Sequence, residues 1–376
     1  MFDGNIAVVG VGTVGSMTMW KLSEITHDVV GFEASTISHD NSAVGGDTRL
    51  FRRIYKEGLY YNDLLAQSSQ LWDELEHALP DVFYRGGALN IVRHGSQAHQ
   101  ALIKFATHAN LDYHELENES LEKLYPQFKL NSSYKGLYDP AGGYIRTDLA
   151  VELASSMSLD SGATINEGIE ISRVHSDSSG VTLEATTGET WRFKQAIITG
   201  GGRSSKLLPE KLRPYVQLNR IVMTWFTASN PELYSRSNFP VFSLNDHDIG
   251  YMYGAPTIDG SSVKISGFIP FHPVEYERFN FDQSVTVEER LHSATLVQRV
   301  FNDVSPRPVR ATAYPESFTP DDDPVIDYVD EHQRVLVATG FSGKGFKMAP
   351  ALGAHIANHI HSNEPLIANF SLSRFH

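Results

Sequence analysis

Hydrophobic positions in the first 33 residues follow the order of a strand, a helix and a second strand. A short apolar run at 6–9 comes first, and a helical pattern then extends from Ser16 to about Ile25. A second apolar run at 29–32 ends at Glu33. Three glycines separate the first run from the helix, namely Gly10, Gly12 and Gly15.

This order predicts a dinucleotide-binding unit. In such a unit Gly10 permits the tight turn, Gly12 lets a pyrophosphate approach the backbone, and Gly15 lets helix and strand pack closely. Glu33 lies at about the 20-residue spacing expected of an acid that binds ribose hydroxyls. An ordinary glycine turn is the alternative, but the complete order of elements favours the dinucleotide site.

The remaining pattern predicts a sheet assembled from both ends of the chain. Helices are expected at about 61–79, 149–159 and 287–301 and after residue 347 to about 361. Strands are expected at 181–185, 191–199, 216–226, 250–253, 263–269 and 335–339. The last strand is followed by a glycine loop and a helix, as the first one is. The prediction is an α/β fold in two interleaved domains, one of them rich in sheet.

Composition excludes several classes of protein. The chain carries 31 basic and 45 acidic residues, a formal net charge of −14, so nucleic acid is not an expected partner. It has no cysteine, which excludes disulfides, thiolate metal sites and a thioether-linked cofactor. Neither a secretion signal nor an apolar run of about 18 residues is visible, so we expect a cytoplasmic protein without a membrane span. No metal site is predicted.

Three further features suggest a site for an anionic group, although each has a simpler interpretation. Arg49, Arg52 and Arg53 follow a glycine pair, and they predict either an anionic partner or a solvated basic patch. Lys264 stands in an apolar strand, where it needs a partner or a water-filled cavity, unless it faces solvent. The loop at 340–347 either caps a helix or directs backbone N–H groups at a cofactor edge that gains negative charge, as a reduced flavin does.

These motifs together resemble the monomeric sarcosine oxidase and N-methyltryptophan oxidase family. The resemblance is carried by the dinucleotide motif with Glu33, by Gly46-Asp47-Thr48-Arg49 with Arg52, by Tyr253-Gly254 and Lys264, and by Gly340-Phe341-Ser342-Gly343-Lys344-Gly345-Phe346-Lys347. It implies FAD rather than NAD. It also implies a glutathione-reductase-like FAD-binding Rossmann domain (1–85, 148–218 and 321–376) and a mixed, sheet-rich substrate domain like that of p-hydroxybenzoate hydroxylase (86–147 and 219–320).

The resemblance also implies roles for individual residues. The substrate carboxylate would be bound by Arg52 and Lys347, and Tyr253, Phe268 and Lys344 would line the same site. Lys264 would activate oxygen, with Arg49 beside the flavin and Tyr253 in the active site. The implied cofactor contacts are Gly10, Gly12, Thr13, Val14, Gly15, Glu33, Ala34, Asp47, Thr48, Arg49, Val174, Gly201, Gly340, Gly343, Gly345, Phe346 and Lys347.

Four positions depart from the family pattern. Tyr314 stands where the family attaches FAD through a cysteine, so a non-covalent FAD is expected. Phe268 and Lys344 replace family histidines, and they leave open which amine is the substrate. Arg203 replaces an aromatic residue near the flavin.

The implied reaction is oxidation of the C–N bond of an amino acid or N-alkyl amino acid to an imine, with oxygen reduced to hydrogen peroxide. The expected partners are therefore oxygen and a small amine that bears a carboxylate. A dehydrogenase that uses another electron acceptor is the first alternative. The second is a flavin-fold protein that binds an anionic ligand without turnover.

Overall fold

A computed structural model describes residues 2–267, 269 and 281–375. The strands are β1 (Gly4–Val9), β2 (Val29–Glu33), β3 (Thr48–Phe51), β4 (Phe83–Tyr84), β5 (Ala88–Arg93), β6 (His114–Leu116), β7 (Tyr134–Asp139), β8 (Gly143–Arg146), β9 (Thr164–Glu167), β10 (Ile171–Asp177), β11 (Gly180–Ala185), β12 (Thr190–Ile198), β13 (Gln217–Ala228), β14 (Val241–Asp246), β15 (Gly250–Ala255), β16 (Ser262–Gly267), β17 (Val304–Phe318), β18 (Val325–Tyr328) and β19 (Val335–Thr339). The helices are α1 (Thr13–Ser23), α2 (Asn62–Ala78), α3 (Gln97–His108), α4 (Asn118–Leu124), α5 (Thr147–Asp160), α6 (Ser204–Leu207), α7 (Val287–Val300) and α8 (Gly345–Ser362).

The first sheet is built from both ends of the chain, as predicted. Its strand order is β10-β11-β12-β1-β2-β9, and β19 and β18 extend from β12. The strand β1 lies parallel to both β2 and β12, and β19 is parallel to β12. Helix α1 contacts both α5 and α8. Apolar side chains of these elements form a core in which Val8, Met17 and Leu336 are fully buried.

The second sheet is mostly antiparallel and has the order β17-β13-β16-β15-β14-β5-β7-β6. Helix α7 contacts β16 and β17 of this sheet. A small third sheet, β3-β8-β4, contains strands from both sides of the predicted boundary at 85/86. The strands of the first sheet all fall within the segments predicted for cofactor binding, but the boundaries themselves stay a prediction.

The first helix begins at Thr13, three residues before the predicted start. Gly12 caps it, so the glycine loop runs directly into the first helical turn. This early start brings the unpaired N–H groups of the helix into the loop. Over the part of the chain that is described, none of the helices has the length and apolarity needed to cross a membrane.

Candidate functional site

The glycine loop between β1 and α1 brings backbone against backbone. A Cβ atom at Gly15 would lie 1.9 Å from the carbonyl oxygen of Gly10, so only glycine allows this helix to approach the strand so closely. A Cβ atom at Gly12 would meet nothing within 4 Å. The first turn of α1 has no side-chain cap, and the buried Thr13 Oγ1 has no hydrogen-bond partner among the described residues. These donors suit a phosphate group.

Glu33 ends β2 beside this loop. Its carboxylate accepts hydrogen bonds from the backbone N–H groups of Val11 (3.0 Å) and Ser35 (3.1 Å), and it lies 3.6 Å from Nε2 of His39. Burial by itself raises the pKa of Glu33, but the bonds from His39, Ser35 and Val11 outweigh burial and lower that pKa. The carboxylate is therefore ionised at the edge of the cavity, where it can accept bonds from hydroxyl groups.

Arg49 is held by carbonyl oxygens. Its guanidinium donates to the carbonyl groups of Ala43 (2.7 Å), Gly45 (2.9 Å) and Thr48 (2.9 Å). Asp47, which adopts a positive φ of 66°, forms an ion pair of 2.8 Å with Arg310. The loop is thus fixed on both sides, and the charge of Arg49 has no carboxylate partner within ion-pair distance among the described residues.

Lys264 lies beneath the same loop. Its Nζ donates to the carbonyl oxygens of Gly46 and Thr48, both at 2.8 Å, and the residue is only 2% exposed. The solvent-facing alternative is therefore wrong, because both faces of β16 are covered at this position. Burial, followed by the charge of Arg49, lowers the pKa of Lys264 well below its ordinary value.

Two buried basic side chains, Arg52 and Lys347, approach one another at Tyr55. The Arg52 guanidinium lies 5.8 Å from the Tyr55 ring centre, and Lys347 Nζ lies 5.1 Å from it. Arg52 donates to Asn90 Oδ1 (3.1 Å) and Ser243 Oγ (2.7 Å), and its Nε has no partner among the described residues. Lys347 Nζ donates to the carbonyl oxygen of Gly343 at 3.1 Å.

Neither cation has a carboxylate within ion-pair distance in the described part of the chain. Burial, followed by the charge of Arg52, lowers the pKa of Lys347 to about 7. Burial also acts to lower the pKa of Arg52, but the neighbouring Tyr251, Glu57 and Tyr55 leave it raised. A desolvated positive pair of this kind is suited to a bound anion.

The second glycine loop precedes helix α8, which carries Lys347. Gly343 has a φ of 78°, and helix α8 begins at Gly345 without a side-chain cap. Phe346 stacks on Trp72, with ring centres 6.2 Å apart and planes inclined by 7°. Trp72 Nε1 also donates to the carbonyl oxygen of Lys347 at 3.1 Å. Packing therefore fixes the first turn of the helix that carries Lys347.

A cavity of about 740 Å³ connects the two glycine loops. It has the size of a small-molecule site. The predicted site residues that line it are Gly10, Gly12, Thr13, Val14, Glu33, Ala34, Arg49, Arg52, Gly201, Tyr253, Gly343, Gly345, Phe346 and Lys347. Arg203 lies in the same wall. The predicted residues that lie behind it or elsewhere are Gly15, Asp47, Thr48, Val174, Lys264, Gly340 and Lys344.

Lys344 and Val174 make contacts outside the cavity. Lys344 Nζ donates to Asp323 (3.1 Å) and Tyr61 (3.3 Å), so its charge is used in an ion pair away from the cavity. Val174 lies on β10 and packs against the apolar cluster under the first sheet, whereas residues 169–172 form the cavity wall. Phe268 lies outside the described residues.

Tyr314 occupies a structural position. It is 1% exposed, and its hydroxyl accepts from Arg310 at 3.1 Å and donates to Asp40 at 3.5 Å. A Cβ atom at Gly45 would lie 2.2 Å from the Tyr314 ring, which shows how closely the ring packs on that loop. The phenol therefore supports the loop that positions Arg49.

Sequence reasoning did not single out five residues near the two cations: Tyr55, Asn90, Ser243, Tyr251 and Glu316. Asn90 and Ser243 are polar residues with apolar neighbours on both sides in their strands, and this was the sign available in the sequence. Tyr251 and Tyr253 share one face of β15, because residues two apart in a strand point to the same side. The prediction of Tyr253 therefore also pointed to Tyr251.

Residues 5–359 match the family described as FAD dependent oxidoreductase. The chain belongs to this family. It is 27% identical over 375 residues to the N-methyl-L-tryptophan oxidase of Salmonella heidelberg and 28% identical over 379 residues to that of Salmonella agona, with 99% of both chains covered in each case. FAD is therefore the cofactor, and the predicted family and enzyme class are confirmed.

Three solved structures share the fold of this chain. The amino acid oxidase NikD superposes with a TM-score of 0.85 at 18% identity, covering 99% of this chain and 98% of that one. Glycine oxidase from Geobacillus kaustophilus gives 0.82 at 18% identity, with the same coverage. L-proline dehydrogenase from P. horikoshii gives 0.83 at 16% identity, covering 100% and 98%. The predicted fold class is confirmed.

The cavity offers suitable groups for three parts of FAD. The uncapped N-terminus of α1 can hold the pyrophosphate, and Glu33 can hold ribose hydroxyls. The uncapped N-terminus of α8 can face the edge of the ring that becomes negative on reduction.

Proposed function

We propose that the chain oxidises the C–N bond of an amino acid or N-alkyl amino acid and passes the electrons to oxygen. The single observation that carries this proposal is the buried pair Arg52 and Lys347, which opens on the cofactor cavity without a carboxylate partner among the described residues. An amino acid supplies the missing anion as its own carboxylate. The relatives named N-methyl-L-tryptophan oxidase support the same class of substrate.

Binding the carboxylate at this pair orients the rest of the substrate. Arg52 is fixed by Asn90 and Ser243, and Lys347 by the first turn of α8, so both cations have defined positions before a ligand arrives. A carboxylate held at two points presents the carbon beside its amine in a fixed direction. A flavin held in the cavity would supply the acceptor for the hydride equivalent removed from that carbon, and the resulting imine would be hydrolysed by water.

In this proposal Arg49 and, in its protonated form, Lys264 supply positive charge near the reaction. Arg49 lines the cavity, whereas Lys264 lies behind the loop of Gly46 and Thr48. Oxygen gains negative charge when it is reduced, and a fixed cation stabilises that charge without reorganisation. Tyr253 lines the same wall, and burial raises the pKa of Tyr253 to about 12, so its hydroxyl stays protonated and can donate a hydrogen bond.

The position of Lys264 also favours a second candidate function. Because its Nζ is bonded to two backbone carbonyl groups and does not line the cavity, it need not act on oxygen. The chain would then be a dehydrogenase that reduces another acceptor.

One experiment separates these functions and also tests for binding without turnover. The purified holoenzyme is mixed without air with a panel of N-methyl and free amino acids, and the visible flavin spectrum is followed. Bleaching that reverses in air, with release of hydrogen peroxide, is the expected result. Bleaching that reverses only with an added dye identifies a dehydrogenase. Amines that shift the flavin spectrum without bleaching it would show a chain that binds its ligand without oxidising it.

A further inference from the structure

We propose that Glu316 binds the amino group of the substrate and thereby makes the site selective for zwitterionic amino acids. The inference rests on the proposed function, because it assumes that the substrate carboxylate lies at Arg52 and Lys347. Glu316 stands near the end of β17 and lines the cofactor cavity. Neither a motif nor a predicted role pointed to it.

Hydrogen bonding leaves part of this carboxyl group available. Oε1 accepts the backbone N–H of Gly343 at 2.6 Å, which fixes the group beside the loop that precedes Lys347. Oε2 accepts no hydrogen bond from the residues that the structure describes. Glu316 is half-buried and lies in the cavity wall, so a ligand in the cavity can reach its second oxygen.

The positive charges around the site favour an acidic residue at the position of Glu316. Arg49, Arg52 and Lys347 are all basic and line the cavity. A substrate carboxylate would pair with Arg52 and Lys347. The ammonium group of the same substrate would enter a positive environment, which is costly unless a negative partner is present. The other acids in the described cavity wall are Glu33, which already accepts two backbone N–H groups, and Glu170. Glu316 is the acid that accepts the N–H of Gly343, in the loop that precedes Lys347.

The ionisable groups that act on Glu316 are Arg49 on β3, Lys347 on α8 and Tyr253 on β15. Burial raises the pKa of Glu316, and the charge of Arg49 and the bond from Gly343 oppose that rise only in part. A bound ammonium group stabilises the carboxylate form. Affinity for a cationic ligand should therefore increase as the pH rises through the titration of Glu316.

Two ligands of nearly equal shape isolate the effect of the positive charge. Trimethylglycine carries a quaternary nitrogen, and 3,3-dimethylbutanoate has a carbon atom in its place. Their dissociation constants are measured with the holoenzyme from the change in the visible flavin spectrum. Because both ligands carry the same carboxylate, the titration of Lys347 affects both and cancels in the ratio of the two constants.

The wild-type enzyme is expected to prefer trimethylglycine, and this preference should grow with pH. Glu316→Gln should lower the affinity for trimethylglycine by about tenfold to a hundredfold and leave 3,3-dimethylbutanoate bound as well as before or better. Glu57→Gln is the matched control. Glu57 influences the charges of both Arg52 and Lys347 but does not line the cavity, so this variant should keep the wild-type ratio.

Three results would overturn the inference: equal affinity of the wild type for both ligands at every pH, an unchanged ratio in Glu316→Gln, or an equal loss in Glu57→Gln. The pH dependence of the wild-type ratio tests it even if Glu316→Gln fails to fold. If amino acids bleach the wild-type flavin but the ratio stays at one, the inference alone fails. If neither ligand binds, the proposed carboxylate site is wrong, and this inference falls with it.

Discussion

Arg52 illustrates how neutral partners can prepare a charged residue for a ligand. Asn90 and Ser243 fix its guanidinium without neutralising it. The hydroxyl of Tyr251 lies 3.5 Å from Nη2 of Arg52. A carboxylate partner at the same place would have satisfied the charge and occupied the donors. The neighbouring Arg53 differs, since its side chain does not line the cavity. Two adjacent arginines therefore have different surroundings, and this difference can be tested.

Arg52→Ala is expected to weaken binding of a carboxylate substrate by about tenfold to a hundredfold, because a charge-assisted pair is lost. Decarboxylated amines of the same size should lose less. Arg53→Ala serves as the control and should leave both classes of ligand unaffected. The measurement is the amine concentration that half-saturates flavin bleaching. Equal losses for acids and decarboxylated amines would show that Arg52 acts through folding or FAD binding.

Lys347 predicts a pH dependence of carboxylate binding. Because its pKa is lowered to about 7, its ammonium form is present below that pH and is lost above it. The affinity for 3,3-dimethylbutanoate should therefore fall as the pH rises through about 7. Titrations of the holoenzyme over this range measure it. In Lys347→Met the affinity should be low and lack this step; if the step persists in that variant, another group is responsible.

At the scale of whole elements, the contact between β1 and α1 decides whether a phosphate can approach. Gly15 is required by the neighbouring backbone, and Gly12 only by the space left for a ligand. Gly15→Ala should lower the melting temperature of the flavin-free protein, because the added Cβ would lie 1.9 Å from a carbonyl oxygen. Gly12→Ala should leave that temperature unchanged but weaken FAD binding in a fluorescence titration. Equal melting temperatures in both variants would contradict this account.

Lys264 connects β16 to β3 and to the loop before it, through its bonds to Thr48 and Gly46. If its charge assists oxygen, Lys264→Met should slow reoxidation of the reduced enzyme about a hundredfold, corresponding to a few kcal/mol. Reduction by the amine should change less. Stopped-flow absorbance measures both steps. Equal slowing of both steps would indicate that Lys264 has a purely structural role, and unchanged reoxidation would support the dehydrogenase alternative.

For the molecule as a whole, the sequence excludes attachment of FAD through a cysteine, because none of the 376 residues is one. The corresponding position is filled by Tyr314, whose hydroxyl is bonded to Arg310 and Asp40. After precipitation with acid and centrifugation, all flavin is therefore expected in the supernatant, where its absorbance is measured. A yellow pellet would show a covalent link through another side chain.

The sequence by itself determined the parts of this protein that depend on short stretches of chain. The glycine spacing, the apolar runs and Glu33 lie within one strand-helix-strand unit, so their geometry follows from local pattern. The same is true of the loop at 340–347 and its helix. These motifs were sufficient to predict a dinucleotide-binding unit in an α/β fold, whereas FAD and the roles of Arg52 and Lys347 were implied by the family resemblance.

Only the tertiary structure decided which side chains meet in the cavity. Arg52 on one segment is fixed by Asn90 and Ser243 on two others, and Glu316 reaches the loop of Lys347 from β17. Lys344, in contrast, donates to Asp323 and lies outside the cavity. Periodicity assigns a residue to a face of its own element, whereas hydrogen bonding and burial depend on elements far apart in sequence. The partners of a charged side chain therefore become visible only after the sheets have packed.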